Sequence, residues 1–150
     1  MKFKGALLLV GCDKPNDTQL VMETGRELQR TIDTSPMRST CENIARGREW
    51  LSRNTVRKLE AKGCEQVFRS STETNFIETT IFRRTMTMVY GSIQGKSFTG
   101  TELTRRFIFS PDEKVLLIEP MTEVDKNRFE GHKTLQQLQD DFNRQQQYCQ

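Results

Sequence analysis

Apolar residues fall into two kinds of spacing along this chain. From residue 18 to 33, Leu20, Val21, Leu28 and Ile32 lie near one face of a helical wheel. The spacing predicts a helix over 18–33, with Thr18 as its cap and Gly25 as a weak point. Thr34-Ser35-Pro36 breaks it. Ser39 or Thr40 then caps a second helix holding Ile44, Ala45, Trp50 and Leu51. Ser52-Arg53-Asn54-Thr55 offers a kink, because Asn54 or Thr55 can end one helix and start another. Val56 and Leu59 continue the apolar face. Lys62-Gly63 is an ending signature, with Gly63 suited to a left-handed terminal position.

After Gly63 the spacing turns extended. Glu65 to Arg69 carries Val67 and Phe68, and residues 70–75 are polar enough for a turn. The stretch "FIETTIFRRTMTMVYGS" (76–92) is rich in β-branched and aromatic residues. Phe82, Met86, Met88 and Tyr90 share one parity, and Arg83, Thr85 and Thr87 the other. That predicts one strand with a buried and a wet face, with Arg84 out of step. "GSIQGKSFTG" (91–100) reads as a glycine-rich turn, and its Gly91 to Gly95 spacing does not make a Walker loop. Thr104–Phe109 and Lys114–Glu119 form a hairpin through Ser110-Pro111-Asp112-Glu113. "VLLIE" is expected to be a central or well-covered strand, ended by Pro120. Residues 123–148 read as a helix whose Leu135, Leu138 and Phe142 make an apolar stripe. The sum is an α+β domain: N-terminal helices, an antiparallel sheet of about four strands, and a C-terminal helix packed on it.

Composition narrows function by exclusion. Hydrophobic residues are 34% of 150, charged residues 29%, and mean hydropathy is −0.69. Such a chain builds a modest core for its length. The net charge of +3 is spread and interleaved with acids, which argues against nucleic acid as a partner. Arg83-Arg84 and Arg105-Arg106 are the local concentrations, and arginines in strands read as a solvated face before a phosphate site. No apolar run approaches the roughly 20 residues of a spanning helix. His132 is the single histidine and reads as a surface or capping residue. Glu73, Glu78, Glu102 and Glu119 offer carboxylates, with nothing to mark two of them as a glycosidase pair. No catalytic motif, cofactor motif or close Cys/His pairing for zinc stands in the chain. An enzyme is therefore not expected.

The N-terminus carries the most specific signal. Met1-Lys2-Phe3-Lys4 is basic, Gly5 to Val10 is apolar, and Gly11-Cys12 follows. These are the parts of a secretory signal. Leu9-Val10-Gly11-Cys12 resembles the lipobox of bacterial lipoproteins. The resemblance implies a signal peptide over 1–11, cleaved before Cys12. Lipid on Cys12 would then anchor a tether over 12–19, ahead of a single domain over 20–150. It also implies a lipid-anchored protein on the periplasmic or extracellular face of the cell membrane. Asp13 directly after the cysteine leans that towards the inner membrane. Removal of Lys2 and Lys4 takes the 23 basic residues to 21 against 20 acidic ones, so much of the positive charge belongs to the signal. The other reading of the same residues is a buried strand, Phe3 to Val10, in a cytosolic binding protein or small enzyme.

Four cysteines remain to be placed: Cys12, Cys41, Cys64 and Cys149. With lipid on Cys12, an oxidising compartment favours pairing two of the other three. One straight helix over 41–64 would hold its ends roughly 34 Å apart, against the about 7 Å a disulfide tolerates. A kink near 52–55 folds the segment back and makes Cys41–Cys64 the expected disulfide. Cys149 is left free, paired to another chain, or an alternative partner. The expected function is a membrane-anchored, non-catalytic binding or accessory module of the cell envelope, engaging a protein or envelope component.

Overall fold

The computed structural model describes residues 16–47, 52–83, 86–120 and 133–147. Three helices open it: α1 (Asp17–Asp33), α2 (Pro36–Arg46) and α3 (Arg53–Ala61). Asn16, not Thr18, caps α1. Its Oδ1 accepts from Gln19 N at 2.8 Å, and Gln19 Oε1 accepts from Asn16 N at 2.9 Å. This reciprocal pair satisfies two donors of the first turn. Residues 17–19 therefore belong to α1 rather than to a tether.

Helix α2 starts four residues ahead of the expected Ser39 or Thr40 cap. Ser35 caps it and Pro36 occupies its first turn. Proline loses nothing there, since that turn's N–H groups have no helical acceptor. Helix α3 is capped by Ser52 rather than Asn54 or Thr55, its Oγ accepting from Thr55 N at 3.3 Å. Trp50 and Leu51 lie outside the described residues. Gly63 follows at φ 76°, the left-handed conformation that glycine adopts without Cβ strain.

The sheet is an antiparallel meander, β1 (Asn75–Arg83), β2 (Thr87–Lys96), β3 (Glu102–Ser110) and β4 (Val115–Ile118), in that spatial order. The α+β architecture is the one the spacing predicts, but its strands differ in four places. The segment 76–92 is two strands, with Phe82 opposite Met88 and Arg83 opposite Thr87. Residues 91–96 run through an inner strand instead of a turn. Residues 65–69 hold only a short 3₁₀ turn and one isolated bridge, Phe68 to Ser97. β4 is an edge strand, with Val115 exposed and Ile118 buried.

Both faces of the sheet are covered. Cross-strand rows Ile81–Val89–Phe109–Leu116 and Thr79–Gly91–Phe107–Ile118 face α1. There they meet Leu20, Leu28 and Ile32. The opposite face sets Met88, Tyr90, Ile108 and Leu117 against Phe142 of α4 (Leu135–Gln147). Leu138 and Phe142 are buried, as the stripe requires, and Thr134 Oγ1 caps α4 by accepting from Gln137 N at 3.1 Å. A separate small cluster of Cys41, Leu59, Cys64 and Phe98 sits at the β2–β3 turn.

Gly91 is required by a bulge. The β1–β2 register shifts between Phe76 and Glu78. That shift aims the Glu78 carbonyl at Gly91, where a Cβ would stand 2.0 Å from its oxygen. The obstacle is backbone, so it yields only if the strands part. Gly91→Ala is expected to cost about 2–3 kcal/mol, read as a lower denaturation midpoint. Gly100→Ala meets no atom within 4 Å but carries φ 82°. It is expected to cost about 1 kcal/mol from backbone strain alone.

Candidate functional site

Consecutive side chains on a strand point to opposite faces. The Arg105-Arg106 pair on β3 is therefore divided between two environments. Arg105 is buried on the α1 side and donates from Nη2 to Gln66 Oε1 at 2.7 Å and to Gln66 O at 3.3 Å. It ties the sheet to the turn after α3.

Arg106 faces the other way. Its Nε donates to Glu119 Oε2 at 2.9 Å, and Nη2 donates to the same oxygen. The two residues are also joined through the backbone, Glu119 N to Arg106 O at 2.9 Å. Nη1 reaches Gln146 Oε1, Nη2 reaches Asn143 Oδ1 at 3.3 Å, and the guanidinium carbon sits 5.2 Å from the Phe142 ring centre. Arg106, Glu119, Gln136, Gln139, Phe142 and Asn143 line a recess of about 100 Å³ between sheet and helix. Gln139 Nε2 closes one side by donating to Pro120 O at 3.1 Å. Space of that size suits a few waters. Among the described residues, its one cation is neutralised by Glu119 and its lining holds no serine, cysteine or histidine. These contacts fasten α4 to the sheet.

The candidate carboxylates do not converge. Glu119 is spent on Arg106, and Glu73 pairs with Arg69. Glu102 stands opposite Lys96 at the far end of β3, and Glu78 is exposed on β1. Glu78 and Glu119 share one cross-strand row through Ser92 and Arg106. Three strand spacings separate them by about 14 Å, beyond the roughly 5–9.5 Å of glycosidase pairs. Among the described residues no group of three or more His, Cys, Asp or Glu is placed to hold a metal. Cys12, His132 and Cys149 lie outside the described residues.

Cys41 and Cys64 are joined, with Cα atoms 5.8 Å apart. The bond ties α2 to the turn that follows α3, and both residues are fully buried. A disulfide without exposure is a staple rather than an exchange site. Two polar ties beside it had no local signal in the sequence, since each joins residues more than thirty positions apart. Asp33 accepts from Ser71 N at 3.0 Å and from Ser71 Oγ at 2.6 Å. Arg38 Nε donates to Arg69 O at 2.9 Å.

Arg69 and Glu73 form a two-pronged pair, at 2.7 Å and 2.6 Å. The hydrogen bond from Arg69 holds the Glu73 carboxyl below the ordinary glutamate range, against a smaller opposing effect of burial. The same hydrogen bond raises Arg69.

Comparison of the chain with family models, curated proteins and solved structures finds no match.

Two outcomes are expected from that geometry. Arg106→Met removes the ion pair and the contacts to α4 while keeping most of the stem. A loss of about 1–2 kcal/mol is expected, given the half-exposed arginine. Hydrogen exchange should quicken in α4 first, with β2 and β3 still protected; uniform loss across the sheet would show another role. The second outcome concerns pH. Because Glu73 is depressed in the folded state, its pairing stabilises fully above the ordinary glutamate range. That contribution is lost as pH falls through the depressed value. A carboxyl titration by NMR should place Glu73 below the ordinary glutamate range, and Arg69→Met should move it back up.

Proposed function

We propose that this protein is a lipid-anchored bacterial lipoprotein whose α+β domain is a non-catalytic binding or accessory module of the cell envelope. The observation that carries the reading is the ordered run of basic residues, apolar residues and Leu9-Val10-Gly11-Cys12. A strand needs only the apolar part of that run; a lipoprotein signal needs all of it. The Cys41–Cys64 disulfide supports the reading, because such bonds persist outside the reducing cytosol. So does the way Arg106, Glu119 and Glu73 are spent in fastening ion pairs.

Lipid on Cys12 supplies the membrane attachment. Among the described residues no helix is long and apolar enough to cross a membrane. One acyl chain binds marginally, whereas two or three chains, at about 0.8 kcal/mol per buried CH₂, hold a protein stably. Asp13 favours retention at the inner membrane of a Gram-negative host. The partner is a protein or another envelope component.

Labelled palmitate tests this directly. The wild-type chain is expected to take up label, and Cys12→Ser to take up none. Blocking the lipoprotein signal peptidase should leave a heavier precursor. A wild-type chain that stays unlabelled in the cytosol, with Cys41 and Cys64 open to alkylation, would overturn the proposal in favour of an N-terminal strand.

A further inference from the structure

The short link between Cys12 and the domain has a geometric consequence, which rests on the lipid-anchor reading. Only Asp13, Lys14 and Pro15 separate Cys12 from the Asn16 cap of α1. Four Cα-to-Cα steps span at most about 14 Å. A lipid on Cys12 therefore holds the first turn of α1 close to the headgroups, and whatever surrounds that turn must meet the bilayer.

The ion pairs define those surroundings. Arg83 at the end of β1 reaches Asp17 at 2.8 Å. Lys114, just before β4, pairs with Glu23 one and a half turns into α1. Register places both hairpin links at the same end of the sheet, since Arg83 pairs with Thr87, Val89 with Phe109 and Ser110 with Val115. Three large hydrophobic residues are exposed among those described: Ile77, Met86 and Val115, at 52%, 42% and 44%. Met86 and Val115 both stand at this end. Ile77 sits at the bulge, nearer the other end of β1.

We propose that this end of the sheet rests on the lipid surface, with Met86 and Val115 in the boundary between headgroups and acyl chains. The cations described there suit that position. Arg83 and Lys114 are neutralised by acids of α1, which reduces the cost of bringing them to the interface, and their long stems can lie along apolar surface. Asp112 and Glu113 are exposed on the β3–β4 link and would be repelled by anionic headgroups. The contact is therefore apolar and tethered, and independent of anionic lipid. The opposite end is carried away from the bilayer. β2 spans ten residues, about 33 Å at 3.3 Å per residue. Beyond it α3 packs on Phe98. Its exposed Arg53, Arg57 and Lys58, and Lys62 at its cap, thus lie away from the bilayer.

Tryptophan depth measures the orientation. The mature lipoprotein, purified from cells in a Trp50→Phe background, carries one new tryptophan: Met86→Trp, Val115→Trp or Lys62→Trp. It is reconstituted in phosphatidylcholine vesicles with or without brominated acyl chains. Bromolipid is expected to lower emission about twofold for Met86→Trp and Val115→Trp, which sit within roughly 5–10 Å of the acyl boundary. High salt should not change this, and Lys62→Trp should be unaffected. Equal quenching at both ends, or quenching at Lys62→Trp alone, overturns the orientation. Palmitate labelling of the same preparations separates the two ideas. Labelled protein with the wrong quenching pattern overturns the orientation alone, and unlabelled protein overturns the anchor with it.

Discussion

Phe107 is fully buried in the row Thr79–Gly91–Phe107–Ile118, and its neighbour Ile108 is 2% exposed on the other face. β2 and β3 thus bury apolar side chains on both sides at once. A sheet of this kind cannot leave one face to water, as many antiparallel sheets do. It needs a cover on each side, from a chain that is only 34% hydrophobic. α1 provides one cover through Leu20, Leu28 and Ile32. α4 provides the other with far less apolar surface, chiefly Leu138 and Phe142. The meander keeps β2 and β3 inside and β1 and β4 at its edges.

The shortfall of apolar surface explains where the arginines go. Arg83 fastens the end of β1 to α1, Arg105 fastens β3 to the turn after α3, and Arg106 fastens β3 to Glu119 and α4. Arg38 caps the same scheme by holding the carbonyl of Arg69. The partly exposed ion pairs among these, Arg83–Asp17 and Arg106–Glu119, contribute little singly, about 0–1 kcal/mol. Their value is positional: each gives a helix one register on the sheet where apolar contact alone would allow sliding. Phe142 beneath the Arg106 guanidinium joins both modes, since the buried ring packs on the sheet while the cation lies over its face.

That division also explains which elements were legible. Helix α1, the β3–β4 hairpin, the Leu138/Phe142 stripe and the stop at Gly63 each announce themselves within a few residues. The β1–β2 hairpin does not. Phe82 faces Met88 and Ile81 faces Val89, so partners have equal parity and the alternation runs through the link unbroken. No Asn-Gly or Asp-Gly marks the reversal. Gly91 and Gly95 misled in the opposite direction. Glycines suggest a turn, but here each makes room across a strand pair, Gly91 for the Glu78 carbonyl and Gly95 for Thr74 and Phe68. The Arg105-Arg106 doublet was visible as charge. Its destinations were not, because Gln66 and α4 lie far along the chain.

The corner holding α2 and α3 obeys a different balance from the sheet. Its cluster is Cys41, Leu59, Cys64 and Phe98, with Met37, Ile44, Ala45 and Val67 partly buried around it. Two short helices, each marginal by itself in water, need partners beyond their own backbone. The crosslink is one such partner. Closing a loop with a sequence separation of 23 removes unfolded freedom equivalent to about 3 kcal/mol, and it does so where apolar burial is thinnest. Phe98 then joins the corner to the β2–β3 turn, while Asp33 and Arg38 hold its other side through Ser71 and Arg69. Reduction therefore acts first on this corner, because the two covers of the sheet draw their apolar contacts from α1 and α4 and none from the bonded cysteines.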